Sequence, residues 1–217
     1  GMDYRIGRHF LKSGPGFGGS CFKKDILNLV YICKLYDLKE VANYWNEVLK
    51  INQWQQNRLT NIIVKKLFGT VTNKKIGILG FAFKSNTNDT RESPAINICR
   101  NLLLDGAKLS IYDPKVKFNE IFNNFKDLNI AEGKSFKVED FISMASSYEE
   151  LANSSDAILI LTEWDEFKKI EWSKISKLMR KPSWIFDCRD IIDINNFTES
   201  DLNIWKLGFG SNIDNLK

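Results

Sequence analysis

The sequence predicts an α/β protein in which a helical segment precedes a doubly wound parallel sheet. Two patterns carry this. Apolar residues recur at three- and four-residue spacing from Lys24 to Leu67. From Lys75 onward, short apolar runs alternate with helical stretches, the signature of successive βαβ units. Composition sets the outer limits. The 217 residues suit one or two domains with a sizeable core. Apolar content of 43% is that of a globular chain. A net charge of +4, with no dense basic stripe, gives no nucleic-acid footprint. No apolar run is long enough for a membrane span, and the start lacks a charged-then-apolar leader pattern. Cysteines at 21, 33, 99 and 188 form no C-x-x-C pair, which fits a reducing, cytoplasmic setting. With His9 the single histidine, His-rich zinc sites and Ser-His-Asp triads are excluded within the chain, and no metal is expected.

The elements follow in order. A first helix is expected from Lys24 to Tyr36, with Ile26, Leu27, Val30, Cys33 and, less regularly, Leu29 facing inward. Asp37-Leu38 breaks it. A second helix runs from Lys39 to Leu67, with Val41, Trp45, Val48, Leu49, Trp54, Leu59, Ile62, Ile63 and Leu67 as inward positions. At about 40 Å it is long enough to need burial on more than one side or a partner. Gly69 to Lys75 is a boundary. Lys75 to Ala82 is a near-continuous apolar run, as a parallel strand covered on both faces requires. Ser93-Pro94 starts a helix, serine at the N-cap and proline at N1, and Asp105-Gly106 ends it. Further strands are expected at Lys108 to Tyr112, Ala157 to Leu161, Ser183 to Asp187 and Ile204 to Gly208, and helices at Tyr148 to Asn153 and Trp172 to Lys181. Residues 115 to 140 are charged and irregular and read as a surface insertion.

The stretch most suggestive of chemistry is Phe10 to Asp25. Glycines at 14, 16, 18 and 19 let the backbone approach a ligand closely and aim amide N–H groups at phosphate or sugar oxygens. Cys21 lies where this loop enters the first helix, beside lysines, a setting that favours a reactive thiol. The plainer alternative is a turn leading into a structural cysteine. Farther on, the first strand ends in Gly77-Ile-Leu-Gly-Phe-Ala-Phe-Lys84, which is not the G-x-G-x-x-G dinucleotide fingerprint, and about ten polar residues separate it from its helix. Lys84 and Arg91 frame that loop. They are placed to neutralise a diphosphate or are solvated charges. Asp113 follows the second strand and, lacking the glycine fingerprint, reads as structural.

Gly16-Phe-Gly-Gly-Ser-Cys-Phe-Lys-Lys-Asp25 resembles the catalytic-cysteine motif of UDP-glucose 6-dehydrogenases. The resemblance continues through Ile26-Leu-Asn-Leu-Val-Tyr31, Gly80-Phe-Ala-Phe-Lys84, Asp89-Thr-Arg-Glu-Ser93, Ile111-Tyr-Asp-Pro-Lys115, Thr162-Glu-Trp-Asp165 and Phe186-Asp-Cys-Arg189, in the family's order, and looks closer to eukaryotic members. It implies a catalytic-cysteine segment at 1–23, a helical dimerisation region at 24–72 and a Rossmann-like UDP-binding domain at 73–217. It implies Cys21 as nucleophile, with Lys24 near the nicotinamide and Asp25 acting on water. It implies UDP-sugar contacts at Arg5, Phe10, Leu11, Lys12, Ser13, Gly14, Gly16, Phe17, Gly18, Phe22, Phe83, Lys84 and Arg189. Arg5 is implied to reach the neighbouring subunit's site. NAD is the implied cofactor, met here by Cys21, Lys24 and Arg91. A homodimer or dimer-based hexamer is the implied assembly. Two departures stand out: Ser13-Gly14-Pro15 resembles the bacterial Pro-Gly-Pro, so a hydroxyl contact at Gly14 is lost, and Cys188 replaces a glycine of animal members. Family members begin with a complete NAD-binding Rossmann domain with no counterpart before this loop, so the chain resembles the C-terminal half of such an enzyme, expected to be inactive alone. The competing expectations are a dehydrogenase of UDP-N-acetylmannosamine or GDP-mannose, and a non-catalytic UDP-binding dimerisation module.

Overall fold

The computed structural model describes residues 2–7, 11–128, 137–193 and 202–211. Phe10 and the middle of the expected insertion lie outside them. Two helices lead, α1 (Phe22–Leu35) and α2 (Lys39–Lys66). Asp37, at φ 57°, makes the turn between them. Ile26, Val30 and Cys33 of α1 and Ala42 of α2 form a small core, flanked by Phe17, Leu29, Trp45, Val48 and Leu49. Leu27, Val41 and Trp54, expected inward, are exposed. The reason is a change of partner along α2. Its first half packs on α1 and the loop before it, whereas Leu59 and Ile63, with Gln56 and Thr60 also buried, turn toward the rest of the chain. At 28 residues α2 is about 42 Å long, so one helix joins two cores.

The second core surrounds a seven-stranded sheet in the order β3-β2-β1-β4-β5-β6-β7. Its strands are β1 (Lys75–Leu79), β2 (Lys108–Tyr112), β3 (Ile142–Met144), β4 (Ala157–Ile160), β5 (Ser183–Asp187), β6 (Leu202–Lys206) and β7 (Gly210–Ser211). The first six are parallel, and β7 returns antiparallel to β6. Helices α3 (Pro94–Leu104), α4 (Phe118–Phe122), α5 (Tyr148–Ala152) and α6 (Trp172–Leu178) complete the α/β arrangement. Strand order reverses between β1 and β4, so the crevice at the carboxyl ends of these strands is where a doubly wound sheet admits ligands.

Local sequence explains the junctions. Ser93 caps α3 by accepting from Ala95 N at 3.3 Å, and its hydroxyl donates to Phe81 O at 2.8 Å, tying the helix to the end of β1. Three expectations need correction. The surface insertion is instead part of the core: Val116, Ile121, Phe125 and Val138 are buried, and Phe125 meets Phe81 edge-on at 5.9 Å. Widely spaced apolar anchors among charges hid this. The last long strand runs Leu202–Lys206, two residues earlier than expected at each end, and stops at Lys206 because residues 207–209 turn back to β7. Helix α6 stops at Leu178, three residues before the expected end.

Candidate active site

The loop of residues 11–21 lies between α2 and the connection from β1 to α3. On the α2 side, Asn52 grips it reciprocally: Phe17 N donates to Asn52 Oδ1 at 2.8 Å, and Asn52 Nδ2 donates to Phe17 O at 3.1 Å. Gln55 Nε2 donates to Gly14 O at 3.3 Å. Gly16 sits at φ +130° with its α-carbon facing Asn52 and Gln56, a conformation and a clearance that exclude a side chain. Phe17 meets Phe22 edge-on at 4.6 Å, closing the loop onto α1.

On the sheet side, Gly19 N donates to Arg91 O at 2.9 Å. The Phe83 ring lies against Gly19, and a side chain at Gly18 would strike the Glu92 carbonyl and meet Phe83 Cβ. Lys23 Nζ pairs with Glu92 Oε2 at 2.8 Å. The loop is therefore docked on both flanks by backbone and side-chain bonds.

Cys21 is exposed at the start of α1, its sulfur 3.6 Å from Ser20 Oγ. Lys24 and Asp25 stand exposed on the first turn. Arg91 is held by Asp89 through bonds of 2.7 to 3.1 Å. That pairing pushes the Arg91 guanidinium up and holds the Asp89 carboxyl below its ordinary value. The Gly19 N to Arg91 O bond, two residues before Cys21, brings the start of α1 beside Arg91.

Arg189 follows β5. Its Nε donates to Leu161 O at 2.7 Å and lies 3.3 Å from Glu163 Oε2, and its Nη2 donates to Phe83 O at 3.3 Å. Its Nη1 lies 3.1 Å from where a side chain would begin at Gly14. Burial lowers the Arg189 pKa, and the charge of Glu163 offsets part of that. Glu163 Oε1 accepts from Ser85 N at 3.3 Å, while its buried Oε2 has no hydrogen-bond partner and faces the guanidinium alone. Lys84 is exposed, its Nζ 5.3 Å from the Phe83 ring centroid.

The structure thus brings together Gly14, Gly18, Phe83, Arg91 and Arg189, with Cys21 at the rim. Leu11, Lys12 and Ser13 are exposed at the loop's entrance. Lys12 lies within electrostatic reach of Asp165, whose carboxyl is held low chiefly by Lys168. Arg5 is exposed and bound to Asp3 at 2.7 Å. Phe10 lies outside the described residues. Sequence reasoning missed Asn52, Gln55, Gln56, Glu92 and Glu163. The α2 trio had a signal: amides at i, i+3 and i+4 share one helical face. Among the described residues no cluster of His, Cys, Asp and Glu suits a metal ion.

The end of β1 does not fit a dinucleotide. The N–H groups of Phe81 and Ala82, which would face a diphosphate, donate to Asp113 Oδ2 at 2.7 and 3.1 Å. Asp113 Oδ1 accepts from Lys115 N and Val116 N, and Trp164 Nε1 reaches Oδ2 at 3.4 Å. Asp113 is structural, as expected, and Trp164 helps to orient it.

Comparisons with known proteins agree with this arrangement. Residues 77–194 match the UDP binding domain of the UDP-glucose/GDP-mannose dehydrogenase family, and residues 1–54 match that family's central domain. UDP-glucose 6-dehydrogenases 4 and 3 of Arabidopsis thaliana are 46% and 47% identical over 216 residues. The Drosophila melanogaster UDP-glucose 6-dehydrogenase is 44% identical over 208 residues. Each comparison covers 96% of this chain, yet the chain spans only about 45% of the length of these relatives. Among solved structures, a UDP-glucose dehydrogenase from Pyrobaculum islandicum has a TM-score of 0.66 at 27% identity, over 88% of this chain and 38% of its own. A GDP-mannose dehydrogenase from Pseudomonas aeruginosa shares the fold, with a TM-score of 0.64 at 22% identity, over 94% of this chain and 43% of its own. The docked cysteine loop, the parallel sheet and the matched sequence blocks together show that the chain belongs to the UDP-glucose/GDP-mannose dehydrogenase family.

Proposed function

We propose that this chain supplies the nucleophile and the sugar-nucleotide site of a UDP-glucose 6-dehydrogenase, which converts UDP-glucose to UDP-glucuronate. One observation carries the reading: the loop bearing Cys21 is docked on the residues, Phe83 and Arg189, that resemble the family's UDP-sugar contacts. NAD, when bound, supplies the chemistry of accepting two hydrides. Cys21 adds as thiolate to the C6 aldehyde and forms a thiohemiacetal. Loss of hydride from that adduct leaves a thioester, which water opens to the carboxylate and free thiol. Asp25, one helical turn on, orients or deprotonates that water. Exposed Lys24 and Arg91 are the cations this chain presents to NAD beside Cys21; its own sheet offers NAD no diphosphate cradle at β1.

The division of labour follows: 1–23 as the cysteine segment, 24–72 as the helical dimerisation region, 73–217 as the UDP-binding domain. Phe10 to Gly14, Gly16 to Gly18, Phe22, Phe83, Lys84 and Arg189 line the sugar-nucleotide site, and Arg5 serves the neighbouring subunit's. Homodimers, alone or built into a hexamer, follow from the apolar surface of α1 and α2. The four free cysteines favour a cytoplasmic setting, and no described helix is long and apolar enough to cross a membrane.

The test is a calorimetric titration of UDP-glucose into wild type, Lys84→Ala and Arg189→Ala. Removing a charged diphosphate contact is expected to weaken binding about tenfold or more. Equal affinity in all three would sink the assignment. Because the matched family spans two sugar classes, UDP-N-acetylmannosamine and GDP-mannose belong in the same series; tighter binding of either displaces UDP-glucose as substrate.

A further inference from the structure

Lys206, the last residue of β6, is only 9% exposed. Its Nζ donates to Ile192 O at 2.6 Å, pairs with Asp190 Oδ1 at 2.6 Å and lies 5.3 Å from the Phe209 ring centroid. Its cross-strand partner is Asp187, the fully buried last residue of β5. Asp187 accepts three backbone N–H groups: Arg189 N at 3.0 Å, Ile191 N at 2.9 Å and Ile192 N at 2.8 Å. Asp190 between them is in the left-handed region, at φ 54°. Two buried charged side chains thus hold the turn 187–192 from within, one through its amides and the other through a carbonyl and a carboxylate. Arg189 is the side chain this turn sends into the cysteine-loop crevice.

Sheet pairing does not require a lysine here. An apolar side chain would fill a strand end at lower desolvation cost, so a buried ammonium is weak support for stability alone. What it fixes is a conformation: a left-handed residue next to a guanidinium whose Nε and Nη2 must reach Leu161 O and Phe83 O together.

We infer that Lys206 and Asp187 are positioning residues for Arg189, setting the turn that aims its guanidinium at Gly14 and the sugar-nucleotide diphosphate. This rests on the UDP-sugar reading of the site. Neither residue touches that ligand; both act through the 187–192 backbone.

The experiment compares wild type, Lys206→Met, Asp190→Ala, Arg189→Ala and the Lys206→Met/Arg189→Ala double variant. The readouts are UDP affinity, thermal midpoint and the NMR signal of the Arg189 Nε–H. Lys206→Met is expected to weaken UDP binding about tenfold. The Nε–H, bonded to Leu161 O in wild type, is expected to exchange slowly there and to lose that protection in the variant. Asp190→Ala, which removes only the more exposed end of the pair and leaves the buried lysine its carbonyl, is expected to lose about threefold in the same direction. In the Arg189→Ala background, Lys206→Met is expected to lower the midpoint as before with no further loss of affinity. A merely structural role predicts otherwise: equal affinity losses in both backgrounds and an undisturbed Nε–H signal, and that result overturns the inference. If Arg189→Ala binds UDP like wild type, the docking role falls with the site assignment, while the Nε–H signal still decides whether Lys206 holds the guanidinium.

Discussion

Gly18 shows how finely the cysteine loop is seated. A methyl group there would meet the Glu92 carbonyl and Phe83 Cβ, with no room for it. Gly18→Ala must therefore push the loop off the sheet or displace the β1–α3 connection. Overpacking of this kind costs about 1–3 kcal/mol. For a chain of this length that lowers the thermal midpoint by roughly 2–4 °C per kcal/mol. A melt should show the drop and a titration should show weaker UDP binding. An unchanged midpoint would mean that the loop does not rest where Gly18 meets Glu92. Asn52 makes the complementary point. One amide satisfies both the N–H and the C=O of Phe17, so a single side chain sets the height of the loop over α2.

At the scale of elements, α1 and α2 leave much apolar surface in water. Tyr31, Leu35 and Tyr36 near the end of α1, and Tyr44, Ile51 and Trp54 on α2, are each more than half exposed. Large apolar surface of this kind marks an interaction site. A second copy of the chain is the occupant that the proposed function requires. Light scattering at micromolar concentration should give at least twice the monomer mass, and Tyr31→Lys with Trp54→Lys should return it to the monomer. A monomeric wild type would count against the helices as the contact. These two helices and α3 were also the most legible in the sequence, since long periodic runs mark the first two and the Ser93-Pro94 and Asp105-Gly106 boundaries mark the third. Strand β3 was not legible, because three residues are too few to display a period. Helix α4 was not, because Ile121 and Phe125 are spaced among charges that read as solvent-facing. The same blindness affected the site. Cys21 and its glycines announce themselves, and Phe83, Lys84 and Arg189 come with the motif resemblance. Asn52, Gln55 and Glu163, by contrast, are polar residues whose inward aim depends on tertiary contacts that no local pattern encodes.

At the scale of the whole molecule, α2 belongs to two cores, contributing Ala42 to one and Leu59 and Ile63 to the other. The cysteine loop crosses the seam between them and is bonded to both sides, so Cys21 is referenced to the sheet as well as to its own helix. The proposed chemistry needs an acceptor that the described sheet does not cradle. The 217-residue chain given UDP-glucose and NAD is therefore expected to produce no NADH, followed by absorbance at 340 nm. Turnover by this chain alone would overturn that division of labour.

Asp113 gives the crevice a polarity. Its carboxylate makes the corner above β1 self-liganded: the local donors are consumed, and a resident negative charge repels a second anion. Under the proposed function, a diphosphate is expected to avoid this corner and to meet exposed Lys84 and the Arg189 guanidinium beside Gly14 instead. On that reading, the door that is shut orients docking as much as the one that stands open.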